Sequence, residues 1–517
     1  MARDFVGCQR GQLLLMPPSL AEWLPEDHLV WTVLGAVDQM DLDRFREGYR
    51  LGAAGRAPYD PAMLVALLLY AYARGNRSSR GIERACWEDV AYKVITAMRT
   101  PDHSTIAEFR RRHEAEIAEL FDDVLGLCRE AGLVSVGVIT IDGTKIKANA
   151  SMDQNRSYQR LVKEILREAE ETDRREDELY GDQRGDELPE QLRTPEGRRQ
   201  ALADAKRRLA ERKSRPVADE PVAEMELELE LDLESTVLGR RVLRRNGRRE
   251  WFRVARSELE AHRAQQRQPI ARDREDRLID TLERFEENQR IDRAANEAYE
   301  RWRATARDTK GRVLKGNSKP FTPPEMPDGV INLSDPDSRV MRTQGTPPRQ
   351  AYNAQAAVND RQVILAAEIS IAAPDFGHLG PMLDTTLSAL REQGIEETPE
   401  VVLADAGYWH TAQMQAIEAQ GIEVLAPPDG NMRQGTRPGW KDGRYQQMRE
   451  KLISERGRKL YAQRKITIEP VFGQIKYNRH IDRFMRRGRA AAQSEWRLVT
   501  ATHNLLKLHS HWIANTA

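Results

Sequence analysis

The chain has 517 residues, 40% apolar and 31% charged, and its Lys+Arg and Asp+Glu counts both stand at 81. That length is too great for one ordinary core and predicts about three domains. Balanced charge rules out inferring a nucleic-acid partner from net charge, so any such surface has to be local. Cys8, Cys86 and Cys128 share no paired spacing, which argues against a disulfide framework or zinc site and suits a reducing compartment. The N-terminus lacks a signal-peptide core, and the longest apolar run, AMLVALLLYAYA, is about half of the ~20 residues a membrane span needs. A cytoplasmic protein with no membrane association is expected.

Residues 1–132 read as helical. Asp60-Pro61 supplies a cap and a first helical position before the apolar run, and 78–99 repeats apolar residues at helical spacing. In 101–132, Ser104 or Thr105 can cap a helix with Glu108 close behind, placing Arg110, Arg111 and Arg112 in its second turn. Short helices with one arginine-bearing member fit a helix-turn-helix-like DNA-binding domain. A solvated charged face on an ordinary helical bundle fits as well.

Residues 133–151 contain VITIDGTKIKANAS. Four β-formers, Val138–Ile141, read as a short buried strand that ends in Asp142 and Gly143. An ionised carboxylate there must be hydrogen-bonded, paired or metal-bound. From 152 to 325 charged residues dominate, as in LADAKRRLAERKSR, and long exposed helices are expected in this insertion. Within it, EMELELELDLE alternates with period two, and RRVLRRNGRREWFRV carries Asn246-Gly247 between strand-like arms. A small β element is therefore expected. Its arginines could bind phosphates or pair with the glutamates opposite.

Residues 326–517 return to α/β texture. AYNAQAAVNDRQVILAAEISIA reads as two strands about Asn359-Asp360, HLGPMLDTTLSALREQG as a helix closed by Gly394, and VVLADAGYW as a strand broken at Asp405 and Gly407. A helix, TAQMQAIEAQG, a strand, IEVLAPP, and long basic helices follow, so a mixed sheet flanked by helices is the expected core.

Asp142 and Asp405 each end a strand with glycine within two residues, and Glu469 heads a helix-like segment with Lys476 seven residues on. Two strand-end aspartates and a helical glutamate could hold a pair of magnesium ions for an in-line phosphoryl displacement. Taken singly, each acid has a plainer reading, as a turn former or a helix-start charge. Glu368 and Asp384 adjoin no glycine at an element end, and His410 has no partner at metal-ligand spacing, so all three stay outside the site. No Gly-rich phosphate loop occurs, so no nucleotide cofactor is expected.

The surroundings of these acids resemble the bacterial insertion-sequence transposases of the Asp-Asp-Glu (DDE) class. IDGTKIKANAS is similar to the first-aspartate motif, YNAQAAV to the strand after it and VVLADAGYW to the second-aspartate motif. YAQRKITIEPVFGQIK resembles a C-terminal Tyr-Arg-Glu-Lys signature, here Tyr461, Arg464, Glu469 and Lys476. The commonest form puts three residues between Arg and Glu; here four intervene, which leaves Lys465 as the alternative holder of the arginine's role. HSTIAEFRRRH is similar to the helical DNA-binding domain of such proteins.

The resemblance implies an all-α N-terminal domain (1–132) and a ribonuclease-H-like catalytic domain (133–151 and 326–517), interrupted by the charged insertion at 152–325. It implies two Mg2+ or Mn2+ ions on Asp142, Asp405 and Glu469, which are also the catalytic acids. DNA contacts are implied for Lys476, Tyr461, Arg464, Lys465, Lys145, Trp409, Arg110, Arg111 and Arg112. The partners are the element's terminal inverted repeats and target DNA, met by a homodimer associated with the nucleoid. Tyr408 and Trp409 could stack on an unpaired base, although core packing explains them too. Two readings of other classes remain: a two-metal nuclease without joining activity, and a catalytically silent DNA-binding relative.

Overall fold

In the computed structural model, residues 19–47, 58–180, 248–266, 270, 273–305, 324, 326–343, 345–428 and 443–516 are described. Eight strands occur among them: β1 (Val138–Lys147), β2 (Asn155–Arg156), β3 (Ile331–Asn332), β4 (Arg339–Met341), β5 (Arg349–Asn359), β6 (Ile364–Ser370), β7 (Val401–Leu403) and β8 (Glu423–Leu425). The chain divides into two compact units, one of Met1–Ala148, Met341–Arg486 and Ala490–Ala517, the other of Asn149–Val340 and Arg487–Arg489.

In the first unit the β-branched run at 138–141 does start a strand, and the strand continues past Asp142 to Lys147. Strand β1 pairs antiparallel with β5, and β5 with β6, through the tight turn expected at Asn359. On its other edge β1 pairs parallel with β7, and β7 with β8. The mixed sheet foreseen from the sequence thus has six strands in the order β4-β5-β1-β7-β8, with β6 also paired to β5. Helix Leu379–Glu392 follows β6 and ends before Gly394, whose φ of 73° needs a residue without a side chain.

The N-terminal segments are helical, as the apolar spacing predicts. Asp60 caps Pro61–Ala73, accepting from Ala62 N at 3.0 Å. Asp102, rather than Ser104 or Thr105, caps His103–Arg112, because its carboxylate stands just before the first turn and reaches Thr105 N at 2.9 Å. The chain breaks at His113 and a second helix, Glu114–Glu130, follows; Arg110, Arg111 and Arg112 accordingly lie in a last turn. Among the described residues no helix is long and apolar enough to cross a membrane.

Strand β6 would leave an open sheet edge, and side chains of the helix Arg489–Thr516 close it. Asn504 accepts from Ile364 N and donates to Ile364 O, both at 2.8 Å. Gln493 does the same at Ile369 N (2.6 Å) and Ala367 O (2.9 Å). Each amide copies the donor-acceptor pair of a missing neighbouring strand. Between them Trp496 is fully buried, its indole N–H donating to Gln355 O at 3.0 Å.

The second unit is largely helical. Its helices are Tyr158–Tyr180, Arg248–Gln266 and Arg274–Thr305, and ion pairs such as Arg256–Asp292 and Arg263–Glu287 join the last two. The strand-like arm REWFRV expected after Asn246-Gly247 is helical instead. Trp251, Val254, Ala255 and Leu259 recur at helical spacing and bury against Ile291, Ala295, Ala298 and Tyr299 of the long helix. Burial of that stripe outweighs the β-propensity of Trp, Phe and Val. EMELELELDLE and Asn246-Gly247 lie outside the described residues.

Replacing Asn504 by Leu leaves the Ile364 N–H and C=O unpaired on a buried edge, at a cost of about 1–3 kcal/mol for each group. Urea denaturation is expected to show that loss of stability, and an unchanged midpoint would mean the amide does not seal the edge.

His503, one residue earlier, is fully buried and donates from Nε2 to Gln362 O at 2.9 Å. Burial, helped by the Arg479 charge, pushes its imidazole down to about 3. The unfolded chain, with a histidine near ~6.5, takes up that proton first, so stability is lost as pH falls below ~6.5 and continues to fall toward the folded value. The urea midpoint is expected to drop more between pH 7 and 5 in the wild type than in His503→Gln; equal slopes would remove His503 as the cause.

Candidate active site

Thr140 and Thr467, both buried, share a hydrogen bond of 3.0 Å and fix the helix Glu455–Gly473 against β1. Alternation along β1 then turns Asp142 and Thr144 toward that helix as well. Residues 464 and 467, three apart, share a helix face, so Arg464 arrives over Asp142. Its Nη2 donates to Asp142 Oδ2 at 2.6 Å, and its Nη1 to Glu469 Oε1 at 3.3 Å. The ladder pairs Thr140 with Leu403. Asp142, still within β1, and Asp405, in the turn after β7, each stand two residues beyond that pair, and the Asp405 charge acts on Asp142.

Asp142 is only 12% exposed in its side chain. Burial pushes its carboxyl up to about 6; Arg464 pulls the other way, and the Asp405 and Asp375 charges add to the rise. Asp142 Oδ1 accepts from Gly143 N at 2.8 Å. Asp405 Oδ1 accepts from Gly407 N at 2.7 Å, capping the turn Ala406–Tyr408. Glu469 is half-exposed and stands near the end of its helix, which starts after Ser454, not at its head. The run KITIEPVFG continues an established helix, so the helix N-terminus is distant from the acid. Tyr461 lies on the same helix, and burial pushes its phenol up to about 12.

Past Gly473 the helix widens into a π turn, Gln474–Asn478, so the seven residues from Glu469 to Lys476 are not two α turns. Lys476 Nζ donates to Thr144 Oγ1 and to Lys145 O, the latter at 3.1 Å. Burial lowers its ammonium to about 8; Arg349, Lys145 and Lys147 add to the fall and Asp482 opposes it. Lys465 is exposed, one residue beyond Arg464. Lys145 points to the other face of β1, where its Nζ meets Asp375 Oδ1 at 3.0 Å.

Other residues singled out from sequence are placed as follows. Trp409 is buried with its ring 4.8 Å from that of Tyr445. Arg110 donates to Tyr72 Oη at 3.1 Å, to Arg77 O at 2.8 Å and to Ser79 Oγ, so its guanidinium ties helices together. Arg111 pairs with Glu108, and Arg112 is exposed at the same helix end. Glu368 accepts from Arg497 Nη2 at 2.8 Å, Asp384 is exposed, and His410 caps helix Thr411–Glu418.

Sequence reasoning passes over Asp375, Asn353 and Gln355. Asn353 Nδ2 and Gln355 Nε2 donate to Asp375 Oδ1 at 2.8 and 2.9 Å. The available signal is two carboxamides spaced by two within an otherwise apolar strand, hence on one buried face.

All-oxygen donors at Asp142, Asp405 and Glu469 have the chemistry that a hard divalent cation selects. Among the described residues, however, no three His, Cys, Asp or Glu side chains stand close enough together to hold a metal ion. Arg464 bridges Asp142 to Glu469 instead, supplying the positive charge there.

Arg464→Gln withdraws that charge and is expected to move the Asp142 titration above about 6, read by NMR of the labelled carboxyl. Stability in EDTA should fall by less than the roughly 3–5 kcal/mol of a fully buried pair, since the Glu469 end is exposed. An Asp142 pKa that stays put or falls would show that Arg464 is not its counter-charge.

Residues 18–112 match the family model described as a transposase domain (DUF772), and residues 330–505 match that of the transposase DDE domain. The second match includes Asp405 and Glu469 and begins after Asp142. Compared with curated proteins and with solved structures, the chain has no significant match. With a transposase domain ahead of a transposase DDE domain, the chain belongs to the insertion-sequence DDE transposases.

Proposed function

We propose that the chain binds the terminal inverted repeats of its insertion sequence and catalyses metal-dependent DNA strand cleavage followed by strand transfer. The observation that carries this reading is the nearness of Asp405, just past β7, to Asp142 on β1, with Glu469 tied to Asp142 through Arg464. The strand order β4-β5-β1-β7-β8, with β6 also on β5, antiparallel on one side of β1 and parallel on the other, supports a ribonuclease-H-like fold for the catalytic domain, 133–151 with 326–517.

Asp142, Asp405 and Glu469 would hold two Mg2+ or Mn2+ ions once the Arg464 guanidinium withdraws from between Asp142 and Glu469. Such ions activate a water and neutralise charge on the leaving oxygen. The displaced guanidinium then has a phosphate oxygen as its natural new partner. Lys476, already among cations, holds a backbone phosphate beside the reacting one, and Tyr461 donates its phenol hydrogen to another. Water attack on the phosphodiester at the element's end breaks the bond between phosphorus and the element's terminal O3′, leaving a 3′ hydroxyl on the element and a 5′ phosphate on the flanking strand. That hydroxyl attacks a target phosphodiester, the new bond replacing the one broken, so joining needs no nucleotide cofactor.

Arg111, Arg112, Lys465 and Lys145 are the further proposed DNA contacts, with Trp409 against a base and Arg110 holding its helix in place. Residues 1–132 serve as the DNA-binding domain, and a homodimer brings two ends together. The insertion, 152–325, has no role assigned.

The test is cleavage and joining of a labelled duplex carrying the terminal repeat, with Mg2+, by wild type and by Asp142→Ala, Asp405→Ala and Glu469→Ala. Each substitution is expected to lower the rate by at least ~10²–10³-fold, the scale of losing one element of charge stabilisation, with duplex binding retained. Retained activity in one variant removes that acid from the site. Cleavage without joining favours the nuclease reading, and binding without cleavage by wild type favours the silent DNA-binder.

A further inference from the structure

Behind the strand that carries Asp142 lies a polar cluster that the proposed chemistry does not use. Its centre is Asp375, on the loop after β6, which accepts at one oxygen from Lys145 Nζ at 3.0 Å, Asn353 Nδ2 at 2.8 Å and Gln355 Nε2 at 2.9 Å. In the β1–β5 ladder Gly143 lies opposite Gln355 and Lys145 opposite Asn353, so all four share one face of the sheet. The amide of Gln355 is thereby oriented: its NH2 turns to Asp375 and its oxygen accepts the phenol hydrogen of the fully buried Tyr408. Tyr408 closes the turn that Asp405 caps.

The two glycines beside the aspartates show how closely this cluster approaches. A Cβ on Gly143 would stand 2.7 Å from Asp375 Oδ1 and 2.8 Å from Asn353 Oδ1. One on Gly407 would stand 3.5 Å from Asp375 Oδ2 and 2.9 Å from Asp405 Oδ1. Asp375 thus packs against the residue after Asp142 and against the turn that follows Asp405.

We propose that Asp375 is a positioning residue: through Gln355 and Tyr408 it fixes the turn of Asp405 relative to Gly143 and Asp142, and it holds Lys145 on the face of β1 away from Arg464. Only a carboxylate accepts three N–H donors at one oxygen while keeping the second free of any donor requirement. An asparagine could still offer one oxygen to the three donors, but it sets an NH2 in place of Oδ2, beside the Gly407 turn, and removes the negative charge that faces Lys145 Nζ. The inference rests on the strand-cleavage reading for its kinetic consequence, not for its structural one.

The test compares wild type, Asp375→Asn, Gln355→Glu and the double variant, each with 3-fluorotyrosine incorporated. Single-turnover cleavage of the terminal-repeat duplex, duplex affinity, thermal unfolding and the fluorine resonance of Tyr408 are read. Asp375→Asn is expected to cleave about 10–100-fold more slowly, a cost of the kind that ångström-scale misplacement produces. Duplex affinity should be unchanged and the single Tyr408 line should split or broaden. In the double variant the polarity is reversed: the carboxamide introduced by Asp375→Asn donates to the carboxylate introduced by Gln355→Glu, and Tyr408 still donates to the other oxygen of that carboxylate. Partial recovery of rate and of a single line is expected there. Wild-type cleavage by Asp375→Asn, or an unaltered Tyr408 line, overturns the proposal; so does a loss of affinity and folding in step with rate that the double variant fails to restore. If wild type cleaves nothing, the strand-cleavage reading fails, and the fluorine line alone still decides whether Asp375 fixes the turn.

Discussion

Asp142 is buried within β1 and close to the Asp405 charge in the turn after β7, and the candidate site is organised around holding it there. Burial is the largest cause pushing the Asp142 carboxyl up to about 6, and the Asp405 charge adds to the rise. Keeping such a carboxylate ionised in the interior carries a free-energy cost. Three groups offset it: the Gly143 and Gly407 amides, which donate hydrogen bonds to the two carboxylates, and the Arg464 guanidinium laid across Asp142. A site built to gather divalent cations is in the same electrostatic position, since it must hold anions together before the cations arrive.

The two faces of β1 divide this work. One face meets the helix Glu455–Gly473, with Thr140 against Thr467 and Thr144 against Lys476, so the proposed phosphate contacts Arg464, Tyr461 and Lys476 come from that side. The other face meets the carboxamides of β5 and Asp375. Alternation along a strand makes the division automatic: Asp142 and Thr144 turn one way, Gly143 and Lys145 the other. Side-chain amides recur as structural partners beyond this site, for Gln493 and Asn504 complete the β6 edge in place of a strand. A helix can seal an edge this way only where an amide sits at the right level, which no propensity scale registers.

That distinction explains what the sequence discloses. Strands Val138–Ile141 and Val401–Leu403 are legible because local β-propensity and burial act together there, and Asp142 and Asp405 stand out because a charge interrupts such a run. The arm at 248–254 reads wrongly as a strand because Asn-Gly ahead of an aromatic pair is a strong local hairpin signal. The deciding partner, the stripe of Ile291, Ala295 and Tyr299, lies some forty residues away. Glu469 looks like a helix start because the apolar periodicity before it is broken by charge, although Lys465 is exposed and Arg464 turns to Asp142 on a continuing helix. Asp375 is invisible for another reason. An aspartate in a Pro-Asp-Phe-Gly loop looks like a turn former, and its three donors come from two strands that are remote in sequence.

Chain connectivity also explains how so long an insertion is tolerated inside a catalytic sheet. The second unit starts at Asn149 and returns at Val340, directly after β1 and ahead of β5. Those strands are antiparallel neighbours, with Lys147 opposite Ala351, so a short hairpin loop would suffice to join them. Replacing that loop by a folded unit costs little if the unit's own ends lie together, because loop-closure entropy grows only logarithmically with length. The unit supplies this by itself. Its strands β2 and β3 pair Asn155 with Asn332, and Asn332 Nδ2 donates to Ser151 O and Asn155 Oδ1, both at 2.7 Å. The insertion is thus closed at its base by its own hydrogen bonds, and the register between β1 and β5, on which the levels of Asp142, Gly143 and Gln355 depend, is set by the ladder alone.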